Sequence, residues 1–362
     1  MIWLFGIIFF VKTKLIKVNK ENIDAHSIKI IGDVLLTGGL VGMPTETVYG
    51  LAANALDKKS AARTYRVKGR PSDNPLIVHI AKIEDLDKII KNKLKKAELL
   101  AEKFWPGPLT MIFEKSPLVP YETTGGLDFV AVRIPKDKIA LAVIEAGGGY
   151  ISAPSANKSG RPSPTAAEHV SEDLGGEIEM IIDGGPTKIG LESTVIDMTC
   201  DPPVILRPGA VTKKMIEDVI GVVSTGKLDL SDNSEERPKS PGMKYKHYTP
   251  KGKLYIVLGD VEEAIPVIKK EVKSALLRGK KVGIITTDEA IHEYKQGVIK
   301  SVGARSDIST IAANLYKVLR EFDEENVELI YSESFPIDGI GWAVMNRLDK
   351  ASGYNYIKAN EV

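Results

Sequence analysis

The chain has 362 residues, 43% of them hydrophobic and 27% charged, with a formal net charge of +1. It is too long for one typical domain and fits two, with the composition of an ordinary soluble globular protein. A single cysteine, Cys200, and five scattered histidines exclude a disulfide framework and any multi-cysteine zinc site, and make a reducing cytoplasm the expected compartment.

Residues Met1–Val11, MIWLFGIIFFV, are strongly apolar but shorter than the roughly 20 residues that span a bilayer. No charged n-region precedes them and no small-residue cleavage site follows. A start codon placed too far upstream is the preferred reading; a first strand and a weak anchor are the others. From Lys12 to about Val223, β-rich runs alternate with helical patterns, which predicts an α/β sheet domain over 12–223. Strands are expected at Asn74–Ile80, Phe129–Ile134, Tyr150–Ala153, Met180–Asp183 and Thr194–Asp197, and helices at Leu86–Phe104 and Thr165–Leu174. Residues 224–250, rich in Ser, Asp, Lys, Pro and Gly, read as a linker. Over 251–362 three strands (Lys253–Leu258, Lys281–Thr286, Val327–Glu333) alternate with three helices (Val261–Arg278, Ser309–Phe322, Ile340–Ala351), predicting a small parallel βαβ-type unit.

Several clusters carry chemistry. Pro44-Thr45-Glu46-Thr47-Val48-Tyr49-Gly50-Leu51 follows a strand; its hydroxyls and glycine suit either a small polar ligand or a helix-capping box. Lys68-Gly69-Arg70-Pro71, with Asn74 and His79 beyond, suits a polyphosphate, since Arg contacts are bidentate and Lys supplies a point charge. The plain alternatives are a solvated basic turn and a core histidine. Trp105-Pro106-Gly107-Pro108-Leu109-Thr110 reads as a rigid structural turn. Arg133 interrupts an apolar strand, and an unpaired buried guanidinium is costly, so it requires an anion from the protein or from a ligand. The hydroxyl-rich run Ser152–Thr165 offers donors to phosphate oxygens, Arg207 in Leu206-Arg207-Pro208-Gly209-Ala210 is a second anion clamp, and Ser240–Tyr248 is basic and aromatic enough to act as a lid. A P-loop, a G-x-G-x-x-G turn, a G-x-S-x-G elbow and a metal-ligand spacing are all missing.

In order and wording, P-T-E-T-V-Y-G-L, K-G-R-P-x-x-N-P-L, W-P-G-P-L-T, V-A-V-R-I-P, S-A-P-S-A-N-x-S-G-x-P-S-P-T, E-S-T-V-I-D, L-R-P-G-A and S-P-G-M-K-Y-K-H-Y resemble the YrdC/Sua5 family, in its two-domain Sua5 branch. The resemblance covers nearly everything from Lys12 onward. It implies a YrdC-like twisted mixed sheet with flanking helices, followed by a smaller Rossmann-like α/β domain. The implied reaction joins L-threonine, bicarbonate and ATP (with Mg²⁺) into threonylcarbamoyl-AMP and pyrophosphate, by a nucleotidyltransferase without a dedicated metal site. A separate complex would then transfer the group to adenosine beside the tRNA anticodon.

Carried over by position, the resemblance implies a threonine pocket of Thr45, Thr47, His79, Arg133, Ala153 and Ser193. It implies ATP contacts from Lys68, Arg70, Asn74, Phe129, Ser155, Ser163, Arg207, Tyr245 and Tyr248, with Lys68 and Arg70 also serving the displacement. Two other readings are weighed. A carbamoyl-adenylate enzyme of the hydrogenase-maturation type would carry zinc-finger segments, which one cysteine cannot supply; a non-catalytic double-stranded RNA or tRNA binder would show a concave basic surface.

Overall fold

The computed structural model describes residues 12–226, 237–244 and 247–361; Met1–Val11 and the candidate ATP contact Tyr245 lie outside the described residues. In chain order the strands of a first sheet are β1 (Lys14–Lys17), β2 (Val41–Met43), β3 (Gly50–Asn54), β4 (Ile77–His79), β5 (Leu109–Glu114), β6 (Phe129–Arg133), β7 (Ile151–Ser152), β8 (Met180–Asp183), β9 (Thr194–Asp197), β10 (Val204–Arg207) and β11 (Ser224–Thr225). A second sheet comprises β12 (Lys253–Leu258), β13 (Val282–Thr286), β14 (Val298–Ser301), β15 (Leu329–Glu333) and β16 (Tyr356–Lys358). Helices are α1 (Ala25–Leu36), α2 (Lys58–Lys68), α3 (Leu86–Ile89), α4 (Lys95–Phe104), α5 (Lys138–Ala146), α6 (Ala167–Leu174) and α7 (Lys213–Ile220), then α8 (Val261–Leu277), α9 (Ile308–Glu324) and α10 (Gly341–Ser352).

The first sheet runs β1-β8-β2-β3-β7-β4-β6-β5-β9-β10-β11 and mixes parallel with antiparallel neighbours. Alternation along each strand decides what lies on each face. In one half, Met180 and Ile182 of β8 pack with α1 and α5, while Ile181 between them packs with α6. That half is covered on both faces. In the other half, Val78, Met111, Val132 and Ile205 pack with α3, α4 and α7. The opposite face there, carrying Ile77, Ile112, Ala131, Val195 and Leu206, packs against Met243 of the segment between the sheets. No helix among the described residues covers this strip, and the candidate site lies on it.

The second sheet runs β14-β13-β15-β12-β16, parallel throughout. Residues of α8 pack with Val257 and Ile284, and residues of α9 and α10 with Ile256 and Ile285, a doubly wound arrangement. It has five strands where the apolar pattern predicts three. The two missed, β14 and β16, are short, partly exposed strands at the two edges, where apolar patterning is weakest. The single helix expected over Leu86–Phe104 is broken as well. Ile90 turns extended (φ −114°, ψ 159°) and bridges Lys115, and Lys91 N donates to the Glu114 carbonyl. Pairing at the sheet margin overrides the helical pattern.

The two units touch closely. A Cβ on Gly190 (φ +77°) would sit 2.5 Å from the Ala312 carbonyl oxygen of α9, so only glycine allows the approach. Arg320 of α9 is fully buried. Its Nη2 donates to Asp173 Oδ2 at 2.8 Å and to the Pro162 carbonyl at 2.7 Å, and its Nη1 to Glu172 Oε2 at 3.1 Å. Removing one member of such a buried pair strands the other's charge. Asp173 and Glu172 also pair with Arg161, so Arg320→Ala is expected to cost less than the roughly 3–5 kcal/mol of a fully stranded buried charge but more than the roughly 1 kcal/mol of an exposed pair, read as a fall in the urea midpoint; no fall would mean that Arg161 alone answers Asp173.

Candidate active site

The run Pro44–Leu51 is the connection of a β2–β3 antiparallel pair, not a helix start, which removes the capping-box reading. Thr45 Oγ1 donates to the Val48 carbonyl at 2.6 Å and accepts from Thr47 N at 3.1 Å. A threonine-stabilised turn of this kind needs no helix behind it. It aims both hydroxyls inward: Thr45 Oγ1 lies 2.8 Å from Thr47 Oγ1, which in turn accepts from Arg133 Nη1 at 3.0 Å.

Arg133 and His79 end the parallel strands β6 and β4 as direct register partners. Arg133 Nη2 pairs with Glu46 Oε1 at 2.7 Å and Nε donates to the Gly107 carbonyl at 3.2 Å. Its anion is thus a protein carboxylate, yet a guanidinium with five N–H donors retains some for a second anion. The His79 Nδ1 lies 3.2 Å from the Ile77 carbonyl; that atom is then the protonated one, leaving Nε2 as an acceptor. Burial and the neighbouring Arg133 charge push His79 down to about 3, so the ring is neutral.

Arg207 reaches the same strip through a β10 irregularity between Ile205 and Arg207. Strict alternation from Leu206, which faces the strip, would send it to the other face; a bulge re-aims it. Its Nε donates to the Ser193 carbonyl at 3.0 Å and its Nη2 to Ser193 Oγ at 3.1 Å, while Thr110 Oγ1 lies 2.8 Å from that Oγ. Arg70 follows the left-handed Gly69 that ends α2. It donates to the Asn74 side chain at 2.7 Å and to the Pro75 carbonyl at 3.0 Å. Lys68 donates to the carbonyls of Ser155 and Asn157 at 2.5 and 2.6 Å. These three cations are 2–8% exposed. Among the described residues none of them is ion-paired with a carboxylate, in contrast to Arg133. Burial first, and then the neighbouring cations, pushes Lys68 well down, lowers Arg207, and brings Arg70 to about 10. Buried positive charge held only by neutral oxygens is a site for an anion.

The segment between the sheets closes this strip. Pro241, Gly242, His247 and Tyr248 border the pocket, leaving about 50 Å³ in which the centre of a water-sized sphere can move. Tyr248, at φ +65°, stacks on Tyr316 of α9 with ring centroids 5.1 Å apart. Lys350 of α10 grips the Gly242 carbonyl at 2.5 Å.

The Sua5/YciO/YrdC family (telomere recombination) matches residues 33–209, and the family of the threonylcarbamoyl-AMP synthase C-terminal domain matches residues 211–353. The threonylcarbamoyl-AMP synthase of Pyrococcus abyssi is 47% identical over 339 residues, 94% of this chain and 98% of that one. The chain belongs to the Sua5 family. The Bacillus subtilis threonylcarbamoyl-AMP synthase is 49% identical over 88% of this chain and 91% of its own. The crystal structure of P. abyssi Sua5 complexed with L-threonine superposes with a TM-score of 0.90 at 46% identity, covering 96% of this chain and 99% of that one. The fold of the first sheet also stands alone: E. coli YciO matches over 54% of this chain and 96% of its own, with a TM-score of 0.50 at 24% identity.

Of the residues the resemblance pointed to, Thr45, Thr47, His79, Arg133, Ala153 and Ser193 border one pocket, and so do Arg70, Ser155, Arg207 and Tyr248. Four stand behind it. Lys68 pins the Ser155–Asn157 backbone, Asn74 holds Arg70, and Ser163 Oγ donates to Glu192 Oε1 at 2.5 Å. Phe129 packs beside Ile77 and Ala131, with Lys239 Nζ 4.3 Å from its ring centroid. Sequence reasoning gave Glu192 no role and placed Pro241, Gly242 and His247 only within the Ser240–Tyr248 lid, yet all four border the pocket. His247 adjoins Tyr248, and its buried Nε2 has no hydrogen-bond partner among the described residues. Glu192 belongs to the E-S-T-V-I-D motif, but nothing in its neighbours marks it as a pocket wall.

Three histidines are held neutral by burial: His79 and His247 at about 3 and His169 at about 4, against 6.5 for a free ring. Between pH 6.5 and those values the unfolded chain binds more protons than the folded one, so stability falls as pH falls. Glu192, at about 2 against 4.5, adds its own loss only below pH 4.5. The urea midpoint is expected to drop between pH 7 and 5, and His79→Asn combined with His247→Asn to flatten that slope; an unchanged slope would show these rings to be solvated.

Proposed function

We propose that the protein is an L-threonylcarbamoyladenylate synthase, converting L-threonine, bicarbonate and ATP into threonylcarbamoyl-AMP and pyrophosphate. One observation carries the reading: a single closed strip of sheet bears two anion sites of different character. On one side Arg133, Thr45, Thr47 and His79 form a small polar nest suited to an amino acid with a hydroxyl. On the other, Arg70 and Arg207, with Lys68 behind them, hold positive charge with no carboxylate in direct ion-pair contact among the described residues, as suits a triphosphate. The high identity to synthases of the same length supports both halves.

The chemistry asks little else of the protein. Threonine's amine adds to the carbon of bicarbonate, which loses water to leave a carbamate. A carbamate oxygen then forms a bond to the α-phosphorus of ATP as the bond to the bridging oxygen breaks, and pyrophosphate leaves with that electron pair. Such a displacement depends on alignment and charge neutralisation. Among the described residues no cluster of histidine, cysteine or carboxylate side chains could hold a metal, and Glu46 and Glu192 are each tied to an arginine. Magnesium would enter with the triphosphate, held chiefly by its phosphate oxygens. The Pro241–Gly242 and His247–Tyr248 segments must move aside to admit a nucleotide and return to exclude water. The product is a mixed anhydride, to be consumed by a separate transferase complex acting on tRNA adenosine, which is the reason for assigning the enzyme to the cytoplasm. A duplex-RNA surface, by contrast, would present its cations to solvent, and the cations of this pocket, Lys68, Arg70 and Arg207, are buried.

Pyrophosphate release is expected to need threonine and bicarbonate together with ATP. Arg133→Ala should raise the KM for threonine about tenfold or more and that for ATP far less, with Arg70→Ala doing the reverse. Equal effects on both substrates would refute the two-sided site.

A further inference from the structure

Glu192 is out of place in a pocket that takes a triphosphate. It borders the cavity between Ser193 and the loop of Ser163, is 7% exposed, and is ionised. Two charges of the same sign at close range repel, the more strongly the drier the site. An uncompensated carboxylate here would undo much of what Arg70 and Arg207 provide.

The compensation comes from the second unit. Arg347 of α10, fully buried, donates from Nε to Glu192 Oε2 at 2.9 Å. Its Nη1 donates to the Pro208 carbonyl, one residue beyond Arg207, at 2.9 Å, and to Asn346 Oδ1 at 2.9 Å. Tyr316 of α9 donates to the same Glu192 carboxylate, 3.0 Å from Oε2. The remaining oxygen, Oε1, accepts from Ser163. The Arg347 guanidinium also lies 5.7 Å from the ring centroid of Tyr248, which stacks on Tyr316. A site carboxylate, the Pro208 end of the Arg207 strand and the closing tyrosine therefore converge on one side chain of the C-terminal unit.

We propose that Arg347 is a positioning residue of the nucleotide site: by neutralising Glu192 and holding Pro208, it keeps that pocket positive and correctly shaped for the triphosphate, so the catalytic site is completed by both units. The inference rests on ATP being the substrate of this pocket. A purely structural ion pair would lose stability when cut and affect both substrates alike. A positioning pair instead affects the nucleotide selectively, and the defect depends on the charge left on Glu192.

The test is a cycle of Arg347→Gln, Glu192→Gln and the double variant, with Arg347→Lys as the conservative change. Binding of a non-cleavable ATP analogue is measured by calorimetry beside the KM for each substrate. Arg347→Gln is expected to weaken the analogue about tenfold or more, as for other buried pairs cut on one side, leaving the threonine KM within about twofold. Adding Glu192→Gln should restore most of the loss, and Arg347→Lys should retain part of the affinity. A double variant no better than Arg347→Gln, or equal losses for both substrates, overturns the proposal. Wild-type protein that does not bind the analogue at all overturns the ATP reading itself, and this inference with it.

Discussion

Burying a guanidinium is possible only where something answers its charge, and this molecule is arranged around how each of its buried arginines is answered. Arg320 has Asp173, Arg347 has Glu192 and Arg133 has Glu46. Arg70 and Arg207 have only carbonyl, amide and hydroxyl oxygens. The answered arginines tie the units together and shape the site; the unanswered ones leave a deficit of negative charge open to an anionic ligand. Apolar packing sets the stage, since each fully buried Leu or Ile is worth about 1.5–3 kcal/mol, but it does not discriminate between anions. The ion pairs do.

The sheet decides where that chemistry is displayed. Half of it is sealed on both faces by α1, α5 and α6. The other half leaves a strip in which His79 of β4 and Arg133 of β6 border a pocket rather than a helix. Period-two alternation brings His79 above Ile77 and Arg133 above Ala131 with no special geometry, whereas Arg207 needs the irregularity in β10. The Trp105–Thr110 turn, read from sequence as structural, is structural in a useful sense: its Gly107 carbonyl and Thr110 hydroxyl hold Arg133 and Ser193 in place.

Much of this is legible in the residues. The strands at Met180–Asp183, Thr194–Asp197 and Lys253–Leu258 have the expected limits because their apolar runs are short and bounded by turn residues. The need of Arg133 for an anion arises from a charge in an apolar strand. Other features are hidden for identifiable reasons. Ile90 belongs by pattern to a helix and by position to a sheet margin, and only tertiary pairing chooses. The threonine-rich turn after β2 has the letters of a helix cap, yet it leads into strand β3. Glu192 becomes a pocket wall only through Tyr316 and Arg347, more than a hundred residues away, and no local pattern carries such a distance.

That long-range grip bears on how the two-unit architecture is inherited. The first unit has a fold that exists by itself, as YciO illustrates, which would make the C-terminal unit a removable attachment. Asp173 and Glu192 say otherwise for this chain. Both are buried carboxylates whose countercharges, wholly or in part, lie beyond residue 300. A descendant that lost the C-terminal sheet would inherit Glu192 on the wall of its pocket without an ion-pair partner, and Asp173 with Arg161 as its remaining countercharge. It would survive only by exchanging Glu192 first. Gain and loss of the C-terminal unit are therefore not symmetric events: once the carboxylates are installed against α9 and α10, the addition is locked in by electrostatics.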